Sequence, residues 1–297
     1  GNVDGYVLNQ FAMSEQDGIL RVATTRDPVG DDDSESAVTT FERREDKLVK
    51  LGEVAGLGKG ERIFGVRFLG DVGYVVTFRQ TDPLYTVDLS DPAAPAVTGE
   101  LKILGYSAYL HPIGDGRLIG VGQDATEEGR QLGTQVALFD VRDAAAPTRV
   151  AQAVIPDASS EAEWDHHAFL WWPDTGLVAV PVSTYTEAAA FSGLIGFGVD
   201  VDGGTIGEIG RITHPPIAAV GIGDEPIPPP VLPTEPGSGS GSGSDGDSGI
   251  VAPEDLSYPD PIVRSLVVGD RLWTLSSGGL GSSDLATLGG TQFLPFG

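Results

Sequence analysis

The residues best able to do chemistry lie in one short stretch, Glu161-Ala-Glu163-Trp164-Asp165-His166-His167. Two of the chain's four histidines are adjacent there, directly behind an aspartate. Imidazole and carboxylate together ligate zinc, copper or another divalent ion, and an imidazole that titrates near neutrality serves as acid or base. On an extended strand, neighbouring side chains point to opposite faces. His166 and His167 are therefore expected to diverge, and a metal site built on Asp165, His166 and His167 needs a ligand from elsewhere, with His111 or Glu61 available. The competing expectation is structural, with one imidazole bonding between neighbouring elements while the other packs beside Trp164. The chain contains no cysteine, which excludes disulfides, iron–sulfur clusters, Cys-ligated zinc and a thiol nucleophile, so any metal must rest on His nitrogen and carboxylate oxygen alone.

The elements that position this stretch come from an internal repeat. Tyr85–Pro95 matches Ala137–Pro147, and each is preceded by two apolar runs flanking a turn, Gly70-Asp71 in one and Gly114-Asp-Gly116 in the other. Related turns recur at Asp17-Gly18, Asp174-Thr-Gly176 and Gly269-Asp270, and Asp and Gly tolerate the left-handed backbone of tight hairpins. The third run of each unit ends in Asp plus an apolar residue, at Asp88-Leu89, Asp140-Val141, Asp200-Val201 and Asp284-Leu285; these carboxylates are expected to accept from nearby backbone N–H groups. Four short strands repeating every ~45–60 residues, with little helical periodicity, predict an all-β propeller. Its five four-stranded blades are placed at about 6–57, 61–104, 106–156, 164–213 and 262–297. Because Gly1–Gly5 resembles Gly52–Gly56, the tail of a fourth strand, the five blades are read as the C-terminal part of a larger propeller, the alternative being that this tail closes a five-bladed ring by pairing with the last blade. The Pro/Gly/Ser-rich insertion at 224–260 cannot form a packed core and is expected to project as a disordered loop.

In a propeller the innermost strand of each blade lines the central channel. Those strands open near Gln10, Arg62, Tyr106, Asp165-His166-His167 and Arg264, which predicts a ring of polar and charged groups at one channel mouth. Gln10, Arg62, Tyr106, His166, His167 and Arg264 are accordingly the expected ligand-binding residues. Trp171 and Trp172 are expected at a blade interface, with an aromatic sugar surface that includes Tyr106 and Tyr109 as the alternative. A net charge of −25, from 43 Asp and Glu against 18 Lys and Arg, argues against nucleic acid and anionic membrane surfaces. No apolar run is long enough for a transmembrane helix, and neither a phosphate-cradling loop nor the context of a serine nucleophile is found.

Leu8–Glu15, Ile19–Thr25, Gly73–Tyr85, Tyr106–Pro112 and Trp164–Phe169 give the chain a specific resemblance. It resembles a bacterial and archaeal family of secreted proteins with a C-terminal β-propeller domain, distantly related to WD-type repeats. The resemblance implies export or surface anchoring and further propeller-like sequence upstream, and it brings no assigned activity. The expectation is an extracellular or cell-surface, non-catalytic binding or scaffold module for a protein, peptide or glycan ligand. The alternative is a metal-binding protein or metal-dependent enzyme holding a divalent ion at Asp165-His166-His167.

Overall fold

The computed structural model describes residues 1–26, 34–79, 82–184, 190–216 and 259–297. They form five antiparallel sheets, met one after another along the chain. Blade one comprises Met13–Gln16, Ile19–Arg26, Glu35–Arg44 and Lys47–Leu57, and blade two Arg62–Leu69, Val72–Phe78, Asp82–Asp88 and Ala96–Ile103. Blade three holds Tyr106–Gly114, Arg117–Ala125, Gln131–Asp140 and Thr148–Pro156; blade five holds Arg264–Val268, Arg271–Leu275, Gly279–Asp284 and Gln292–Pro295. Most of the 224–260 insertion and of the acidic run 31–35 lies outside the described residues.

The turn aspartates act as their spacing predicts. Asp88 accepts from the Ser90 amide at 2.9 Å, Asp140 from Arg142 at 3.1 Å, Asp200 from Gly203 at 2.8 Å and Asp284 from Thr287 at 2.9 Å. The apolar partner then ties the turn back to its own blade: the Leu89 amide donates to the Asp71 carbonyl, Val141 to Gly116 and Leu285 to Asp270. One local sequence device thus closes three blades in the same way.

Burial against the neighbouring blade supplies the core. Val38 and Val75 pack between blades one and two, Leu118 and Phe139 between two and three, Leu138 and Phe197 between three and four, and Leu194 and Leu272 between four and five. Trp171 packs against the third of these clusters and Trp172 against the fourth, which puts both at blade interfaces. Among the described residues no buried cluster joins blade five to blade one, and Leu266, Val268, Leu294 and Phe296 stay exposed on blade five. No described helix is long and apolar enough to cross a membrane.

Inner strands lie close against second strands. A Cβ on Gly122 would run into the Tyr106 carbonyl oxygen, part of the backbone of blade three's inner strand. Gly122→Ala is therefore expected to force the two strands apart and lose about 1–3 kcal/mol by the cost of overpacking, read as a lowered melting temperature.

Blade four corrects the expectation of divergent histidines. Its innermost strand is not continuous: Ala158–Ser159 and Leu170–Trp172 both pair with Leu177–Thr184, and two 3₁₀ turns, Glu161–Glu163 and His166–Ala168, lie between them. His166 and His167 are therefore on a turn, where the period of two does not apply. Ser192–Asp200 and Thr205–Ile212 complete the blade. Blade one begins similarly, since Tyr6 bridges Thr25 and a 3₁₀ turn, Gln10–Ala12, precedes Met13.

Candidate functional site

The turns of blades one and four are one device used twice. Asn9 accepts a hydrogen bond from the Phe11 amide at 2.9 Å, and the Ala12 amide closes the turn on the Asn9 carbonyl at 3.1 Å. Asp165 accepts from the His167 amide at 3.0 Å, and the Ala168 amide closes on the Asp165 carbonyl at 3.0 Å. Ala12 and Ala168 are fully buried, as each turn needs a small residue against the blade. Asn9-Gln-Phe-Ala12 and Asp165-His-His-Ala168 therefore correspond residue for residue, with Gln10 and His166 in the first position.

These two first positions meet. The Gln10 amide nitrogen lies 3.2 Å from Nε2 and 3.4 Å from Nδ1 of His166, whose edge abuts the Phe11 ring at 5.0 Å between centroids. The His166 and His167 rings are 3.8 Å apart, so the turn brings together what a strand would have separated. Asp165 organises the group: Oδ1 sits 3.0 Å from His167 Nδ1 and Oδ2 accepts from the Arg264 guanidinium of blade five. From blade two, Arg67 lies 4.0 Å over the Phe11 ring and 5.3 Å over Tyr109, and donates to the Leu110 carbonyl at 2.8 Å. Blade three contributes Tyr109, whose hydroxyl is 3.0 Å from His111 Nδ1. All five blades thus send a side chain to one cluster.

The predicted ring of polar groups divides in two. Gln10, His166, His167 and Arg264 come together with Asp165. Arg62 instead lies 4.7 Å over Phe64, and Tyr106 is buried against Phe64 and Phe78 at 4.4 and 4.9 Å. Of the expected metal ligands, Asp165, His166 and His167 can each aim one donor atom within 4.8 Å of the others, while His111 stands outside that set beside Tyr109 and Phe169. Arg67, Phe11 and Tyr109 were missed as members of the cluster. Arg67 sits in the apolar run Val66–Leu69, and it is covered from other blades, by the Phe11 ring of blade one and by Tyr109 and the Leu110 carbonyl of blade three.

A family model described as a beta propeller domain matches residues 1–226. The chain belongs to this beta propeller family. The propeller is 45% identical over 172 residues to an uncharacterized protein of Methanocaldococcus jannaschii, covering 58% of this chain and 26% of that protein. It is 42% identical over 180 residues to an uncharacterized protein of Archaeoglobus fulgidus, covering 61% of this chain and 27% of that one. The aligned part is thus about a quarter of the length of these curated relatives. The solved structure of Saccharomyces cerevisiae Sqt1 matches with a TM-score of 0.49 at 9% identity, covering 96% of this chain and 61% of that one.

The propeller's cluster has the electrostatics of a site partly withdrawn from water. The His167 backbone N–H holds the Asp165 carboxyl below the usual range, helped by the His167 ring and Arg264. Burial lowers His166, and His167, Arg67 and Arg264 push the same way. Burial also carries His111 down to about 4, with Arg67 adding to the effect. Arg67 itself is lowered by burial, and among the described residues it has no carboxylate partner. A histidine whose folded pKa lies below its unfolded value near 6.5 contributes stability that is complete above ~6.5 and lost as pH falls toward the folded pKa. Unfolding free energy is therefore expected to fall between pH ~6.5 and ~4, and to fall less in His111→Phe, when followed by urea titration at several pH values.

Proposed function

We propose that this propeller is a non-catalytic binding module, exported or displayed at the cell surface, whose ligand docks on the cluster formed by Gln10, Arg67, His166, His167 and Arg264. The observation that carries this reading is convergence: five separate blades supply one cluster, and its Arg67 guanidinium lacks a carboxylate partner among the described residues in a chain of net charge −25. Guanidinium, imidazole and amide donors together suit a carboxylate-bearing ligand, an acidic peptide or an acidic glycan. His167, with 67% of its side chain exposed, offers the point of entry. Peptide and glycan arrays test this reading. Wild-type protein is expected to select carboxylate-bearing probes, and Arg67→Gln and His167→Ala to weaken that selection at least ~tenfold. A silent array, or equal retention by the variants at unchanged melting temperature, would overturn it.

A second reading rests on the three donor atoms of Asp165, His166 and His167, which cluster closely enough for one divalent ion. The ion would have to compete with Arg264 for Asp165 and tolerate Arg67 nearby. Elemental analysis of purified protein, with melting curves in chelator and in added zinc, decides it: no bound metal and no shift in melting sinks the metal reading.

The five blades are further proposed to sit within a larger propeller. The apolar residues left exposed on blade five and the much greater length of the archaeal relatives support this.

A further inference from the structure

Away from the histidine cluster, a cavity of about 560 Å³ opens over blade three. Phe64 and Tyr106 line it from the inner strands of blades two and three, and Trp164 from the turn region of blade four. Asp157 and Glu163 add two carboxylates, and among the described residues neither lysine nor arginine lines it. Trp164 is 64% exposed, so its indole presents a face to solvent rather than to the core.

The acidic side is built, not incidental. Ser160 caps the Glu161–Glu163 turn, and the Glu163 carboxylate accepts from the Ser160 amide at 3.0 Å and from the Gln123 side chain at 2.5 Å. Gln123 is itself buried and donates to the Ala158 carbonyl at 3.3 Å. These bonds fix Glu163 at the wall and set Trp164 immediately after it. The Arg62 guanidinium rests 4.7 Å over the Phe64 ring and occupies it, which leaves Trp164 as the exposed aromatic of the set.

An exposed indole face and two carboxylates in a concave site favour an organic cation over an anion, and the ring favours it over a bare metal ion, which requires oxygen or nitrogen ligands. We infer that this cavity binds a substituted ammonium group, held by cation–π contact with the exposed Trp164 and by the carboxylates of Glu163 and Asp157, with Phe64 and the buried Tyr106 as its apolar wall. The inference does not rest on the carboxylate-binding reading above, which uses other residues and the opposite ligand charge.

Calorimetric titration with choline chloride, set beside its uncharged isostere 3,3-dimethyl-1-butanol, tests it. Choline is expected to bind, and the isostere to bind about tenfold more weakly, because only the charge differs. Trp164→Ala, at an exposed position, and Asp157→Asn are each expected to weaken choline several-fold while leaving the melting temperature unchanged. No heat from choline at millimolar concentrations, equal affinity for the isostere, or choline binding unaffected by Trp164→Ala would each overturn the inference.

Discussion

Phe197→Ala is expected to destabilise the protein by about 3–5 kcal/mol, the range for emptying a fully packed aromatic site. Phe197 is 1% exposed on the third strand of blade four, where it packs with Leu138, Val178 and Val180 between blades three and four. Its strand lies between two pairing partners, facing Val178 on one side and Glu208 on the other, so the backbone has little freedom to collapse into the space. Phe197→Leu keeps most of the volume and is expected to cost less than ~2 kcal/mol by comparison with other volume-sparing exchanges. Chemical denaturation measures both; similar losses for the two variants would show that packing at this interface is looser than the buried cluster implies.

His214→Ala is expected to have a comparable effect by a different route, about 2–5 kcal/mol, because it empties a buried ring site and leaves the buried Thr274 hydroxyl without its partner, while Ser276 keeps Gly279 and Asp260. His214 is 2% exposed, with Nδ1 at 2.6 Å from Ser276 Oγ and Nε2 at 2.8 Å from Thr274 Oγ1, and both hydroxyls are themselves buried. The ring stacks edge-on against Phe293 at 4.8 Å. It therefore fastens the end of blade four to the second and last strands of blade five. Asp260 reinforces the same corner, accepting from Ser277 at 2.8 Å and from the Gly278 amide at 2.6 Å. If His214→Ala in fact melts with the wild type, the clasp adds nothing beyond its neighbours and the blade-four to blade-five contact rests on the apolar cluster around Leu194, Leu272 and Leu288 and on the Asp165–Arg264 pair.

How much of this was legible in the sequence depends on what each residue answers to. The blades were legible because their signals are local: an aspartate at a strand end bonds an amide two or three residues on, and an Asp-Gly pair turns a hairpin, whatever lies across the channel. The histidine cluster was legible by residue type and not by geometry. Treating Asp165–His167 as strand imposed a period of two, while Asp165 was capping a turn. The correspondence of Asn9-Gln-Phe-Ala12 with Asp165-His-His-Ala168 carried that information, since Asn and Asp are the residues that accept from an amide two positions on. Arg67 gave no such sign, because what distinguishes it is the Phe11 ring supplied from another blade. His214 was silent for the same reason: its partners lie about sixty residues away.

Among the described residues four buried clusters join the five blades in sequence, so apart from the polar histidine cluster each blade is coupled to its neighbours as in a line. Where each unit is coupled only to its neighbours, the interior units are held from two sides and the outermost from one. Opening then starts at the extremities, and amide protons of the blade-three and blade-four strands outlast those of blades one and five in exchange with deuterium. Any partner that covers the exposed face of Leu266, Val268 and Leu294 gives blade five a second neighbour. Slowed exchange in Arg271–Leu275 would register it at a distance from the point of contact.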